Sequence, residues 1–311
     1  MVIPTIDDVI DGASSTRARL LDVHQTFRIH FVRESATQLG PHGGEQPREF
    51  VLARKNARWL VAERLLNPGE NDVPDWETSY CDDHRVLFWS KHDRACAIDE
   101  MSREGWNIYR GWLYFTWQGL CAQRAIAESA GIDYATVEPA YPESVDHPFL
   151  PEFLDRHRNE YRVLPEREEV DGAQCWVVEW PAMDRVWVDL DHGFAIRRRQ
   201  YHWGRGKPMR YAIEQSDFRE VRPGVWLPFV QAVDKYADID RTGQEFWGTI
   251  VNKSVYRSKE VLLGDEVSDE ALQVRLPAGT RLVDNIRRMQ YTVAEDGAEP
   301  FDGALAQGRD C

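Results

Sequence analysis

The stretch VWVDLDHGFAIRRR, residues 186–199, places Asp189, Asp191 and His192 within four positions. In a strand the two aspartates share a face. With the histidine they would suit a divalent cation or an acid/base pair. A second set, Cys81, His84, His92 and Cys96, has the spacing C-x2-H-x7-H-x3-C and the ligand types that zinc takes. A third, Glu166, Glu168 and Glu169, offers neighbouring carboxylates. No G-x-S-x-G, HExxH, P-loop or GxGxxG pattern occurs with its required flanks.

Each set has to be placed by secondary structure, and there the bland readings gain. Asp191-His192-Gly193 lies between two runs of alternating hydrophobicity, where a turn is required. Asp bonds its own backbone and Gly accepts positive φ, so the expected role is a hairpin turn. RVLFWSK, between His84 and His92, reads as a strand and separates the four zinc-type ligands; a metal site there is a weak candidate. LPEREEVDG reads as a solvated hairpin loop.

The elements follow from periodicity. Thr5-Ile6-Asp7-Asp8 resembles a capping box, and Ile6, Val9, Ile10, Ala13, Leu20 and Leu21 recur at helical spacing, with Gly12 as the one misfit. From His24 the period becomes two: Phe27, Ile29 and Phe31 share a face. EFVLAR and RWLVAERLL form a hairpin around Lys55-Asn56, and RVLFWSK, ACAIDEM and WLYFTW read as strands. Residues 119–158 differ, with a helix ended by Gly131, a proline-rich loop and a short helix at PEFLDRH; they read as a helical insertion. From 159 to 286 short strands and turns alternate, including MRYAIEQ, FREV and LQVRLP. The expected architecture is mainly β (α+β), one domain over 1–290, with a flexible polar tail at 291–311.

The 311 residues carry 38 Lys and Arg against 52 Asp and Glu, a net charge of −14. Such a chain is repelled by nucleic acid phosphates, and no nucleic acid partner is expected. The run Arg197-Arg198-Arg199 alternates faces if it is a strand, so it makes no basic patch. Five scattered cysteines without a CxxC pair are no disulfide framework. No apolar run reaches the ~20 residues of a membrane span. The opening MVIPTIDDVIDG lacks the basic and apolar regions of a signal peptide, which keeps the cytoplasm open as a location.

Three pieces of the meander, in order, carry a resemblance: VWVDLDHGFAIRRR, then DFREVRPGVWLPF at 217–229, then LQVRLPAGTRLVDNI at 272–286. Together they resemble the LolA/LolB-like outer-membrane lipoprotein-sorting family, in a poorly characterised bacterial branch; residues 100–158 have no counterpart. The resemblance implies a half-barrel, a single curved antiparallel sheet around the N-terminal helix and the insertion. It also implies a periplasmic or cell-envelope location and a cargo of lipid or lipoprotein acyl chains, with an envelope receptor or loading protein as a further partner.

Within that frame Phe27, Ile29, Phe31, Trp176, Trp187, Trp203 and Trp226 are the candidate cavity-lining residues; the alternative is that the tryptophans are ordinary core. An acyl chain gains ~0.8 kcal/mol per buried CH₂, so such a site needs no polar motif to announce it. The expected function is a non-catalytic carrier without a cofactor. Two readings stand beside it: an interaction scaffold with a filled interior, and a metal-dependent enzyme using one of the sets above.

Overall fold

The computed structural model describes residues 2–23, 26–37, 46–56, 58–68, 76–81, 85–90, 95–100, 154–202, 207–237, 248–294 and 309–310. Helix α1 spans Ile6–Val23. Its first turn closes as the sequence requires: the Asp8 backbone N–H donates to Thr5 Oγ1 at 3.1 Å, and the Thr5 N–H donates to Asp8 Oδ2 at 2.7 Å. These bonds, first that of the Thr5 backbone, hold the Asp8 carboxyl below its usual range. Val9, Ile10, Ala13 and Val23 form the buried stripe. Gly12 has a steric reason: the Phe194 ring lies where its Cβ would stand.

The strands described are β1 (Thr26–Thr37), β2 (Arg48–Lys55), β3 (Arg58–Leu65), β4 (Glu77–Cys81), β5 (Arg85–Ser90), β6 (Ala95–Glu100), β7 (Arg162–Val163), β8 (Glu168–Val170), β9 (Ala173–Trp180), β10 (Asp184–Asp189), β11 (Ala195–His202), β12 (Met209–Arg222), β13 (Val225–Tyr236), β14 (Ile250–Leu263), β15 (Arg281–Asp284), β16 (Met289–Thr292) and β17 (Arg309–Asp310). Pairing resolves them into two antiparallel meanders, β1 to β6 and β9 to β14. The long antiparallel ladder of β1 with β14 joins them into one sheet. β7 and β8 continue along the free side of β9. At the other end β15 pairs with β6 in parallel, the one departure from antiparallel order among these ladders.

MRYAIEQ and FREV, which read as two strands, are one: Asp217 takes positive φ (52°) yet pairing with β13 continues on both sides of it. LQVRLP is no strand. Asp269–Leu272 is a 3-10 turn, and the pairing segment is RLVD at 281–284. Tyr291 and Val293 are buried in a core cluster, so packing runs past residue 290. The helical insertion and WLYFTW fall outside the described residues except for a helical turn at 154–156, whose Leu154 is buried.

Register separates the side chains into two faces. The inner face carries Phe27, Ile29, Phe31, Phe50, Leu52, Phe229, Val233, Val186 and Val178 in register across β2, β1, β14, β13, β12, β11, β10 and β9. Helix α1 packs on it through Val9 and Ile10 against Val178, Val186, Val188 and Ile196. On the outer face, segment 272–293 lays Leu272, Val274, Leu276, Leu282 and Tyr291 over Ala53, Leu60, Tyr80, Leu87, Trp89 and Ile98. β15 thereby also covers the edge of β6, which would otherwise offer unpaired backbone groups.

Candidate functional site

The inner face of β1, β2, β13 and β14 is an apolar wall. Phe27, Ile29 and Phe31 are 0, 1 and 6% exposed. Phe31 stacks on Phe50 at 5.0 Å between centroids, and Phe27 meets Trp59 edge-on at 5.8 Å. A cavity of about 20 Å³ opens among Ile29, Phe31, Phe229, Gln231, Tyr256 and Ser258. Of the sequence-predicted lining residues, Trp176 also lies on this face, opposite Val188 and under the guanidinium of Arg167. Trp187 and Trp226 do not. Strand alternation puts Trp187 on the outer face with Cys175 and Val177, and Trp226 on the same outer side against His192. Trp203 lies outside the described residues.

The Asp-His-Gly turn is a turn, and it is also a buried charge site. Asp189 is 1% exposed, whereas Asp191 is at the surface. Asp189 Oδ1 accepts the backbone N–H groups of Asp191 (3.0 Å) and His192 (3.3 Å), the self-bonding expected of Asp. Its Oδ2 meets Arg197 Nε and Nη2 at 2.9 and 2.7 Å and His192 Nδ1 at 2.7 Å. The pair with Oδ2 assigns the Nδ1–H tautomer to His192. Arg197 reaches Asp189 because a bulge between Trp187 and Val188 leaves it without a cross-strand partner. Arg197 and Arg198 therefore both face outward, Arg197 over Phe218 and Arg198 over Trp187, and only Arg199 turns inward. The expected strict alternation of the arginine run fails at this bulge. Asp189, Asp191, His192, Arg197 and Asp171 line an open depression of about 370 Å³.

Inside, Arg199 grips Asp184 through Nε (3.0 Å) and Nη2 (2.6 Å), and the Tyr161 hydroxyl donates to Asp184 at 2.7 Å. Burial, then the adjacent carboxylate, pushes the Tyr161 hydroxyl pKa far up, so it remains a donor. A third cluster, unseen in the sequence, sits on the outer face. Glu49 is 3% exposed and meets Lys259 Nζ at 2.6 Å, Arg64 Nη2 at 2.6 Å and His30 Nε2 at 2.7 Å. Burial raises its pKa, but the bonds from Lys259, Arg64 and His30 prevail and hold it at about 2.

The zinc-type set is not assembled by what is described. Cys81 stands opposite Val86 and Cys96 opposite Trp89, on different rungs with β5 between them, and His84 and His92 lie outside the described residues. Cys96 is fully buried and burial pushes its thiol up to about 12, away from the thiolate that a metal needs. Among the described residues no group of three or more His, Cys, Asp or Glu could hold a metal ion. Glu168, read as loop, is in β8, where it accepts the Trp187 indole N–H at 2.8 Å and pairs with Arg185. No helix among the described residues is long and apolar enough to cross a membrane.

No protein-family model matches the chain, and no curated protein matches it. Solved structures do. A LolA superfamily protein from Nitrosomonas europaea matches 86% of this chain and 97% of its own, at 12% identity and a TM-score of 0.40. An outer membrane lipoprotein-sorting protein domain from Vibrio parahaemolyticus matches 86% and 97%, at 9% identity and a TM-score of 0.43. A DUF1329 family protein from Desulfovibrio piger matches 86% and 96%, at 12% identity and a TM-score of 0.35. The first two carry the names that the three turn-and-strand pieces resemble. At these values the functional reading rests on the chain's own residues.

Proposed function

We propose that the protein is a non-catalytic carrier of lipid or of lipoprotein acyl chains, working in the bacterial cell envelope. The observation that carries this reading is the wall of Phe27, Ile29, Phe31, Phe50 and Phe229 on the inner face, with the small cavity at its centre. Side chains of this kind gain from contact with hydrocarbon and need no ionised partner. At about 20 Å³ the cavity takes one water and no acyl chain, so cargo enters by parting the rings that line it. The same small volume favours a second reading, a scaffold whose interior is simply filled core.

Native mass spectrometry of the purified chain, followed by denaturing extraction, separates the two. A lipid or acyl species near one-to-one occupancy supports the carrier. A protein that is empty and also fails to take up a fluorescent fatty acid overturns it and leaves the scaffold. Stoichiometric zinc would instead revive the metal enzyme.

A further inference from the structure

Among the described residues four large apolar side chains are exposed: Val2 and Ile3 at the start of the chain, and Ile286 and Met289 at the turn of the β15–β16 hairpin. The second pair is not loose chain. The Asn285 N–H donates to the Ile98 carbonyl of β6 at 2.9 Å, and the buried Asp284 carboxylate accepts the Arg287 N–H at 2.9 Å. These bonds fix the turn that carries Ile286 (42% exposed) and Met289 (40%), with the exposed Arg287 and Arg288 between them. Guanidiniums elsewhere are held on carboxylates, as at Arg58, Arg64, Arg162, Arg197 and Arg199. Arg287 and Arg288 make no ion pair among the described residues. From Leu272 to Thr292 the chain holds four arginines, all exposed, and one acid, the buried Asp284, although the whole chain stands at −14.

One exposed apolar side chain is ordinary, but two beside two unpaired guanidiniums set a double requirement. The guanidiniums match phosphate or carboxylate oxygens. Ile286 and Met289 gain from contact with hydrocarbon. The headgroup layer of a phospholipid bilayer supplies both within about 5–10 Å of depth. The four side chains stand on a hairpin turn, so a protein partner would need a pocket of matching shape, whereas a deformable headgroup layer does not. Charge selects the same occupant. A chain at −14 is repelled by an anionic surface except where its cations are segregated. In about 0.1 M salt the screening length is about 10 Å, which lets the turn act without the distant acids. We propose that the β15–β16 turn is a membrane-docking element: Arg287 and Arg288 bind the phosphates of anionic headgroups, and Ile286 and Met289 enter the boundary of the acyl region. The inference is independent of what the inner face carries, because the turn and the Phe27–Ile29–Phe31 row belong to different strands of the sheet.

The test is co-sedimentation of the full chain with vesicles of phosphatidylcholine alone and of equal parts phosphatidylcholine and phosphatidylglycerol, in about 0.1 M salt. The wild type is expected to sediment with the mixed vesicles and to stay in solution with the neutral ones. About 1 M salt, where the screening length falls to about 3 Å, should release it. The pair Arg287→Gln with Arg288→Asn should lower the partition coefficient about thirtyfold, which corresponds to about 1 kcal/mol for each cation at an anionic surface. Asn suits position 288 because it tolerates the positive φ (57°) there. Ile286→Ser should weaken binding about fivefold. Arg158→Gln, which removes an exposed arginine already paired with Asp155, should leave binding unchanged. Melting temperatures equal to that of the wild type show that the variants fold. A wild type that sediments with neither vesicle overturns the proposal and leaves an acidic protein surface as the occupant of the turn. Variants of the turn that sediment like the wild type overturn it too. Sedimentation that Phe31→Ala abolishes and the turn variants leave intact is cargo uptake at the inner wall, which supports the carrier and overturns the docking turn.

Discussion

Replacing Glu49 by Gln removes the one anion among Lys259, Arg64 and His30. In the folded chain Glu49 titrates at about 2, against 4.5 for an unperturbed carboxyl. A carboxylate with a depressed folded pKa stabilises the fold above its unfolded pKa, and that stability is lost as pH falls toward the folded value. The 2.5-unit difference sets a ceiling of about 3 kcal/mol at pH 7. Lys259 and Arg64 are 48 and 41% exposed, so solvent screens their share, and about 2 kcal/mol is the expected contribution. Urea unfolding of wild type and Glu49→Gln from pH 7 down to pH 3 measures it. Other carboxylates cancel in the difference, which should shrink by roughly half between pH 6 and pH 3. A difference that stays constant over that range, or grows as the pH falls, refutes the assignment of this carboxylate as charged and multiply bonded.

Three further perturbations test the packing. Gly12→Ala should lower the melting temperature although Ala favours a helix by about 1 kcal/mol, because its Cβ meets the Phe194 ring and overpacking costs about 1–3 kcal/mol; a stabilised variant shows that Phe194 is not seated on the helix. Asp189→Asn should cost about 3 kcal/mol in chemical denaturation, since it leaves the buried guanidinium of Arg197 with only the exposed Asp171 carboxylate, 3.8 Å away, as a counter-charge, while the pair Asp189→Leu with Arg197→Met should cost less than the single change. Phe31→Ala should weaken uptake of a fluorescent fatty acid about tenfold, and Trp226→Phe should leave it within about twofold, because the two side chains stand on opposite faces; equal losses would refute the face assignment.

Much of the fold was written in local patterns. The capping box at Thr5 and Asp8, the hairpin at Lys55-Asn56 and the turn at Asp189 each depend on residues within a few positions, and each formed where those residues place it. What stayed hidden is non-local. His30, Glu49, Arg64 and Lys259 come together only because β1 pairs with both β2 and β14, and Glu49 and Lys259 are 210 residues apart. Gln215 and Gln231 become a buried facing pair only through the β12–β13 register, which joins residues of two different strands. Gly12 looked like a flaw in the helix because its reason is Phe194, a residue of another element.

Two bulges break the strict period of two in the sheet, and one of them overturns the expected alternation of Arg197-Arg198-Arg199. At Lys259 on β14 and at Arg197 on β11 one residue is skipped in the ladder, so two consecutive side chains share the outer face. In both cases the skipped residue is a cation, and in both it lands on a buried carboxylate, Glu49 or Asp189. Strict alternation would carry the residues beyond each bulge onto the wrong side; with the bulge, Arg199 turns inward to Asp184, and Ser258 turns inward to the cavity. A single skipped residue thus does two things. It anchors the outer face by an ion pair, and it sets which side chains the inner face presents. The apolar wall and the outer charge clusters are therefore not independent features: straightening either bulge while keeping its extra residue would turn the side chains on one side of it to the opposite face.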